Sequence, residues 1–178
     1  MPAGKSPSKN LKSGEILEQS GLRRHNLGII FRALRDSGPI SRAQLANATG
    51  MTKPGVNNIV DELLERGLLT QGVEESKPER GRPGVLLAIN SQATSIIVIE
   101  LRAFYTAIIA FDLLGQEFYR ERATTSYNLT PEERITEVQP LLERAIQSAT
   151  RQASRIAKLI VVFPGIIDSE LKVTSSSL

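Results

Sequence analysis

Three glycines, Gly38, Gly50 and Gly67, divide the stretch from Leu27 to Leu68 into short pieces, and each piece repeats its apolar residues at the helical period. Leu27, Ile30, Phe31 and Leu34 stand at i, i+3, i+4 and i+7, so a helix with a single buried stripe is expected there. Ser37-Gly38-Pro39 stops it, since glycine accepts a left-handed terminus and proline cannot continue the hydrogen-bond ladder. A second helix opens at Ser41-Arg42-Ala43-Gln44, where the serine hydroxyl can cap the amide of residue 44 while the glutamine reaches back. It turns Leu45 and Ala46 inward and ends at Gly50. A third starts at Thr52, carries Val56, Ile59, Val60, Leu63 and Leu64 as its stripe, and closes at Gly67. Two apolar strands, Leu68 to Val73 and Val85 to Ile89, then flank a basic tip rich in glycine and proline. The pattern is a helix-turn-helix followed by a wing.

Composition removes several chemistries. The 178 residues include no cysteine and a single histidine, His25, which excludes disulfides and a cysteine-ligated zinc and leaves little for a Ser-His-Asp hydrolase. Apolar runs such as Ile96 to Ile99 are far too short to span a bilayer, and the polar start with Lys5, Lys9 and Lys12 has no apolar core behind it. A cytoplasmic chain with no targeting signal is therefore expected. Through residue 94 there are 13 basic against 9 acidic side chains, and from residue 95 onward 9 against 10. The basic excess sits in the first half, so the two halves are expected to do different work.

Residues 1–20, rich in Lys, Ser and Gly, are expected to form a flexible basic tail before a DNA-binding unit over 21–90. On the third helix, Pro54, Asn58, Asp61 and Glu65 face away from the stripe, with Lys53 and Asn57 on one flank and Gly55 on the other. Asp61, Glu62 and Glu65 would repel phosphates, so the span from Thr52 to Asn58 is expected to enter the major groove while the acidic half leaves it. Asparagine pairs bidentately with adenine, worth about 1–3 kcal/mol of discrimination. Asn58 is the first candidate, with Asn57 and Lys53 at the edge. Ser41, Arg42 and Thr52 lie at helix starts, where hydroxyls, free amides and a guanidinium can hold phosphates. In the wing, Lys77, Arg80, Gly81 and Arg82 suit a narrow minor groove, the glycine allowing close backbone approach.

From Ser95 the pattern changes. Ile96 to Leu101, Tyr105 to Asp112 and Glu117 to Ala123 read as a three-strand meander turning at Leu113-Leu114-Gly115-Gln116. Thr130-Pro131-Glu132-Glu133 caps a helix with Ile135, Val138, Leu142 and either Ile146 or Ala149 inward, and Pro140 is expected to kink or interrupt it. Leu159 to Phe163 is a buried strand, and Pro164-Gly165-Ile166-Ile167-Asp168 follows.

Taken together, Arg24-His25-Asn26-Leu27, Gly38-Pro39-Ile40-Ser41-Arg42-Ala43-Gln44-Leu45-Ala46, Thr49-Gly50-Met51-Thr52, Leu64-Glu65-Arg66-Gly67-Leu68-Leu69 and Gly81-Arg82-Pro83 resemble the amino-terminal winged helix of ROK-family bacterial transcriptional regulators. The resemblance implies repression of sugar uptake and catabolism genes, with the third helix on an operator and the Gly81-Arg82-Pro83 wing in the adjacent minor groove. Val162-Phe163-Pro164-Gly165-Ile166-Ile167-Asp168 is similar to a Val-Pro-Gly-Ile-Val-Asp segment of the same family. The implied fold class is α+β followed by α/β: a winged helix-turn-helix, then over 91–178 a truncated first lobe of the actin-like, ribonuclease H-like sugar-kinase fold. Kinase members of the family place an Asp-x-Gly-Gly-Thr phosphate loop between the first two strands. Here Glu100-Leu101-Arg102-Ala103-Phe104 stands in that position without a glycine, which argues against catalysis.

Family members run to about twice this length, and the sugar-contact segments, the zinc site, the second lobe and most dimer contacts would lie beyond Leu178. A fragment, a truncated product and a shortened regulator are all compatible with that, and a severed lobe is expected to expose apolar surface and self-associate. The resemblance implies double-stranded operator DNA as partner, a homodimer on a two-fold symmetric site, a sugar or sugar-phosphate effector in a full-length relative, no membrane and no cofactor in this chain. Two alternatives stay open: a sugar kinase with an appended helical module, and an interaction protein that binds no nucleic acid.

Overall fold

The computed structural model describes residues 10–74, 85–153, 155–170 and 172–176. The chain divides into two compact units, Met1–Ile89 and Asn90–Leu178.

The first unit begins with α1 (Asn10–Ser37). It starts inside the stretch expected to be a flexible tail, so residues 10–20 are helical. Glu15, Leu17, Glu18 and Gln19 favour a helix, and neither Gly14 nor Gly21 outweighs them. The helix ends at Gly38, left-handed at φ 72°, whose amide bonds the Leu34 carbonyl at 3.1 Å. A two-residue strand, β1 (Ile40–Ser41), leads into α2 (Arg42–Thr49), and left-handed Gly50 turns the chain toward α3 (Lys53–Glu65). Behind α3 the Leu68 amide bonds the Leu63 carbonyl and the Gly67 amide the Leu64 carbonyl, both at 2.9 Å. That pair of bonds, with Gly67 at φ 67°, satisfies the last carbonyls and swings the chain into β2 (Leu69–Glu74). The strand β3 (Val85–Ile89) pairs antiparallel with both β1 and β2, giving the order β1-β3-β2. Ile30, Leu34, Leu45, Val56, Ile59, Val60, Leu63, Leu69 and Leu87 form one buried cluster, so the stripes expected on all three helices meet over the sheet. Phe31 is only half-buried.

The second unit is a four-stranded sheet crossed by one helix. The strands β4 (Ser95–Leu101), β5 (Tyr105–Asp112) and β6 (Glu117–Thr124) form the expected antiparallel meander, and α4 (Pro131–Gln152) returns the chain so that β7 (Ile156–Val162) runs parallel to β4. The sheet order is β6-β5-β4-β7, and a separate hairpin joins β8 (Gly165–Ile167) to β9 (Val173–Ser176). The Asp112 carboxylate accepts amides of Leu114 and Gln116 at 2.9 and 2.8 Å, closing the β5–β6 turn with Gly115 at φ 82°. Ile97, Ile99, Ile108 and Ala110 pack beneath Leu141, Ala145 and Ala149 of α4.

Two expectations about α4 need correction. Thr130 caps it as the sequence suggests, but of the kink or interruption expected at Pro140 the interruption does not occur, since α4 is a single helix from Pro131 to Gln152. One lost backbone bond is small against a 22-residue helix that packs along its length on the sheet. Its buried stripe is Arg134, Leu141, Ala145 and Ala149, with Val138 and Leu142 half-buried, whereas Ile135 is 67% exposed and Ile146 40%. The small side chains of Ala145 and Ala149 let the helix sit close to the sheet, rotating the larger residues outward. The edge strand β7, expected to be buried, leaves Leu159, Ile160, Val161 and Val162 between 40% and 51% exposed.

Candidate nucleic-acid interface

Two helix starts position the site. Ser41, extended at φ −78°, ψ 161°, caps α2: its hydroxyl accepts the Gln44 amide at 3.4 Å and donates to the Gln44 side-chain oxygen at 2.9 Å. The same oxygen accepts the Ser41 amide at 2.7 Å, completing the capping box. This serine is buried and its hydroxyl is engaged in the cap, so it orders the start of α2. Arg42 follows immediately and is half-exposed beside a groove of about 310 Å³ lined by Ser41, Ala43, Gln71, Val85 and Leu87.

Thr52 caps α3 by accepting the Gly55 amide at 3.3 Å, and Pro54 sits in the first turn, where an amide would have no helical partner. A Cβ on Gly55 would come within 3.1 Å of the Thr52 hydroxyl oxygen, so glycine here protects the cap. Thr52, Lys53, Asn57 and Asn58 are exposed and Gly55 is half-exposed, all on the first two turns of α3. The wing residues Lys77, Arg80, Gly81 and Arg82 lie outside the described residues.

The electrostatics depart from the simple picture of an acidic rear half. Arg42 crosses from α2 to α3: its Nη2 lies 2.7 Å from the Asp61 carboxylate, and its Nη1 donates to the backbone oxygen and side-chain oxygen of Asn57, each at 3.4 Å. Glu62 is also engaged, by Arg23 of α1 and by Arg66 at 2.7 Å. The hydrogen bond from Arg23 holds the Glu62 carboxyl below the usual carboxylate range, aided by the charges of Arg23 and Arg66 against the opposing effect of burial. Two of the three carboxylates expected to repel phosphates are thus paired with arginines, and the face around Asn57 and Asn58 is less acidic than the sequence suggests. Charge counting could not reveal this, because Arg23 and Arg42 come from other helices.

Between β4 and β5 of the second unit there is a tight turn. Arg102 donates its amide to the Tyr105 carbonyl at 2.9 Å and its Nε to Glu100 at 2.8 Å. Phe104 is 66% exposed and stacks on Tyr127 with ring centroids 5.6 Å apart. The buried Arg134, which sequence reasoning passed over, donates to the Thr125 hydroxyl at 2.7 Å and the Arg102 carbonyl at 3.4 Å, tying α4 to both flanking loops. Among the described residues no group of His, Cys, Asp and Glu is placed to hold a metal, and no helix is long and apolar enough to cross a membrane.

A capped helix-turn-helix with a β-hairpin behind it defines the first unit as a winged helix-turn-helix, and residues 20–82 match the MarR family model. Over 150 residues the chain is 29% identical to a xylose repressor of Caldicellulosiruptor bescii, covering 84% of this chain and 37% of that protein. It is 24% identical over 156 residues to the DNA-binding transcriptional repressor Mlc of Escherichia coli (84% and 36% covered) and 26% identical over 148 to the dual regulator NagC of the same organism (82% and 35%). The crystal structure of a ROK family transcriptional regulator, a homolog of E. coli MLC, has the same fold over 84% of this chain and 37% of its own, with a TM-score of 0.63 at 21% identity. The resemblance read from the residues therefore stands: the chain is similar to the amino-terminal portion of ROK-family transcriptional regulators. It spans a little over a third of the length of these relatives.

Proposed function

We propose that this chain is a bacterial, sequence-specific DNA-binding repressor of sugar uptake and catabolism genes that acts by occupying a double-stranded operator. The observation that carries this reading is the start of α3, where exposed Lys53, Asn57 and Asn58 project from a capped helix whose carboxylates at 61 and 62 are paired with arginines. A helix so presented suits the major groove. The amides opening α2 and α3 supply the phosphate contacts while Arg42 is held on Asp61 and Asn57, and Lys77, Arg80, Gly81 and Arg82 of the wing are assigned to the adjacent minor groove. The repressor names of the relatives favour the same conclusion.

The second unit is read as the first lobe of an actin-like fold, supported by its meander, its α4 crossover and the parallel pairing of β7 with β4. It is read as non-catalytic, because the tight turn at Arg102 and the stacked Phe104 occupy the place of a phosphate cradle. A homodimer on a two-fold symmetric operator, a cytoplasmic location, and a sugar or sugar-phosphate effector held by the part of the longer relatives that this chain does not span complete the proposal. Asn58→Ala is expected to weaken operator binding by about 1–3 kcal/mol while leaving nonspecific binding nearly unchanged, measured by fluorescence anisotropy on both DNAs. Equal losses on the two would remove the base-reading role.

A further inference from the structure

The guanidinium of Arg42 carries donors only, so whatever it meets on Asn57 must be an oxygen. Its Nη1 stands 3.4 Å from the Asn57 side-chain oxygen and 3.4 Å from the backbone oxygen of the same residue. Its Nη2 is anchored 2.7 Å from Asp61. Asn57 and Asp61 are one helical turn apart, so a single planar fork can engage both, which a lysine point charge cannot do in the same way. With its oxygen accepting from Arg42, Asn57 keeps an amide nitrogen that has no partner among the described residues. Asn58, exposed and without a side-chain partner among the described residues, keeps both halves of its amide free.

The two asparagines are therefore not equivalent readers. Pairing with adenine needs the amide oxygen to accept from N6 and the amide nitrogen to donate to N7, whereas guanine shows only acceptors, N7 and O6, and thymine shows O4. We propose that Arg42, anchored by Asp61, fixes the hydrogen-bonding polarity of Asn57, so that Asn57 selects guanine or thymine while Asn58 selects adenine. This inference rests on the DNA-binding reading above. Arg42 and Asp61 act here as positioning residues, through Asn57.

The test uses the full chain and duplexes that it selects from a random library, each then varied through all four base pairs at every selected position. Asn57→Ala and Asn58→Ala identify the position whose preference each asparagine sets. Wild type is expected to favour guanine or thymine over adenine at the Asn57 position by about fivefold or more. In Arg42→Met that preference falls and adenine rises to parity, while the Asn58 position is unchanged. Asp61→Asn moves the same position in the same direction, and it decides the matter should Arg42→Met melt early. An adenine preference at the Asn57 position in wild type, or an equal loss on all four bases in both variants, overturns the inference and leaves DNA binding intact. Failure of the library to yield any selected sequence overturns the DNA-binding reading as well.

Discussion

Ser41→Ala separates two roles that a serine at a helix start can play. In the structure the hydroxyl both accepts the Gln44 amide and donates to the Gln44 side-chain oxygen, inside a residue only 8% exposed. Alanine tolerates the extended backbone of this position, so the substitution removes the cap without adding strain. Loss of a serine cap costs about 0.5–2 kcal/mol, typically about 1 kcal/mol. Because α2 has only eight residues, the loss should appear as local opening, which native-state amide exchange on peptides covering Leu45 to Thr49 reads directly. A phosphate contact behaves differently: a neutral hydroxyl on a phosphate adds a hydrogen bond but releases no counterion, so its loss lowers operator affinity without changing the salt slope and leaves α2 exchange as it was. The capping role predicts faster exchange in α2. Unchanged exchange together with a clear loss of operator affinity would refute it and make Ser41 a DNA contact.

Other perturbations test the remaining parts of the structure. Leu45→Ala, at a fully buried position where α2 meets the cluster of the first unit, should cost about 2–5 kcal/mol in urea unfolding, and a loss below 1 kcal/mol would mean that the helices do not pack as described. The Glu62 carboxyl titrates below its ordinary range in the folded chain, so its pairing with Arg23 and Arg66 stabilises at neutral pH and is lost as pH falls through the lowered value. Glu62→Gln should therefore flatten the acid side of the stability profile, and identical profiles would contradict the pairing. The exposed strip formed by Leu159, Val161 and Ile135 should drive concentration-dependent association that Val161→Glu reduces, and a monodisperse wild-type monomer at high concentration in sedimentation would count against it.

What could be read from the sequence was largely what local chemistry decides. The caps at Ser41, Thr52 and Thr130 need only residues within one turn, and the glycine stops at 38, 50 and 67 need only a backbone region that other residues avoid. The unseen features depend on distant partners. The strand β1 exists because Ile40 and Ser41 meet Leu87 and Leu86, far along the chain. The face of α4 was misjudged because the sheet selects the small residues Ala145 and Ala149 for close approach, and its pattern alone gives Ile135 equal claim. At the interface the exposed asparagines were evident from periodicity, but the crossing of Arg42 to Asp61 and Asn57 was not, since its partners lie 15 and 19 residues away.

Selection of duplexes by the full chain from random DNA tests the DNA-binding reading most directly. It predicts enrichment of one defined sequence, with affinity that falls steeply as salt rises. Retention without enrichment, or binding indifferent to salt, would contradict it.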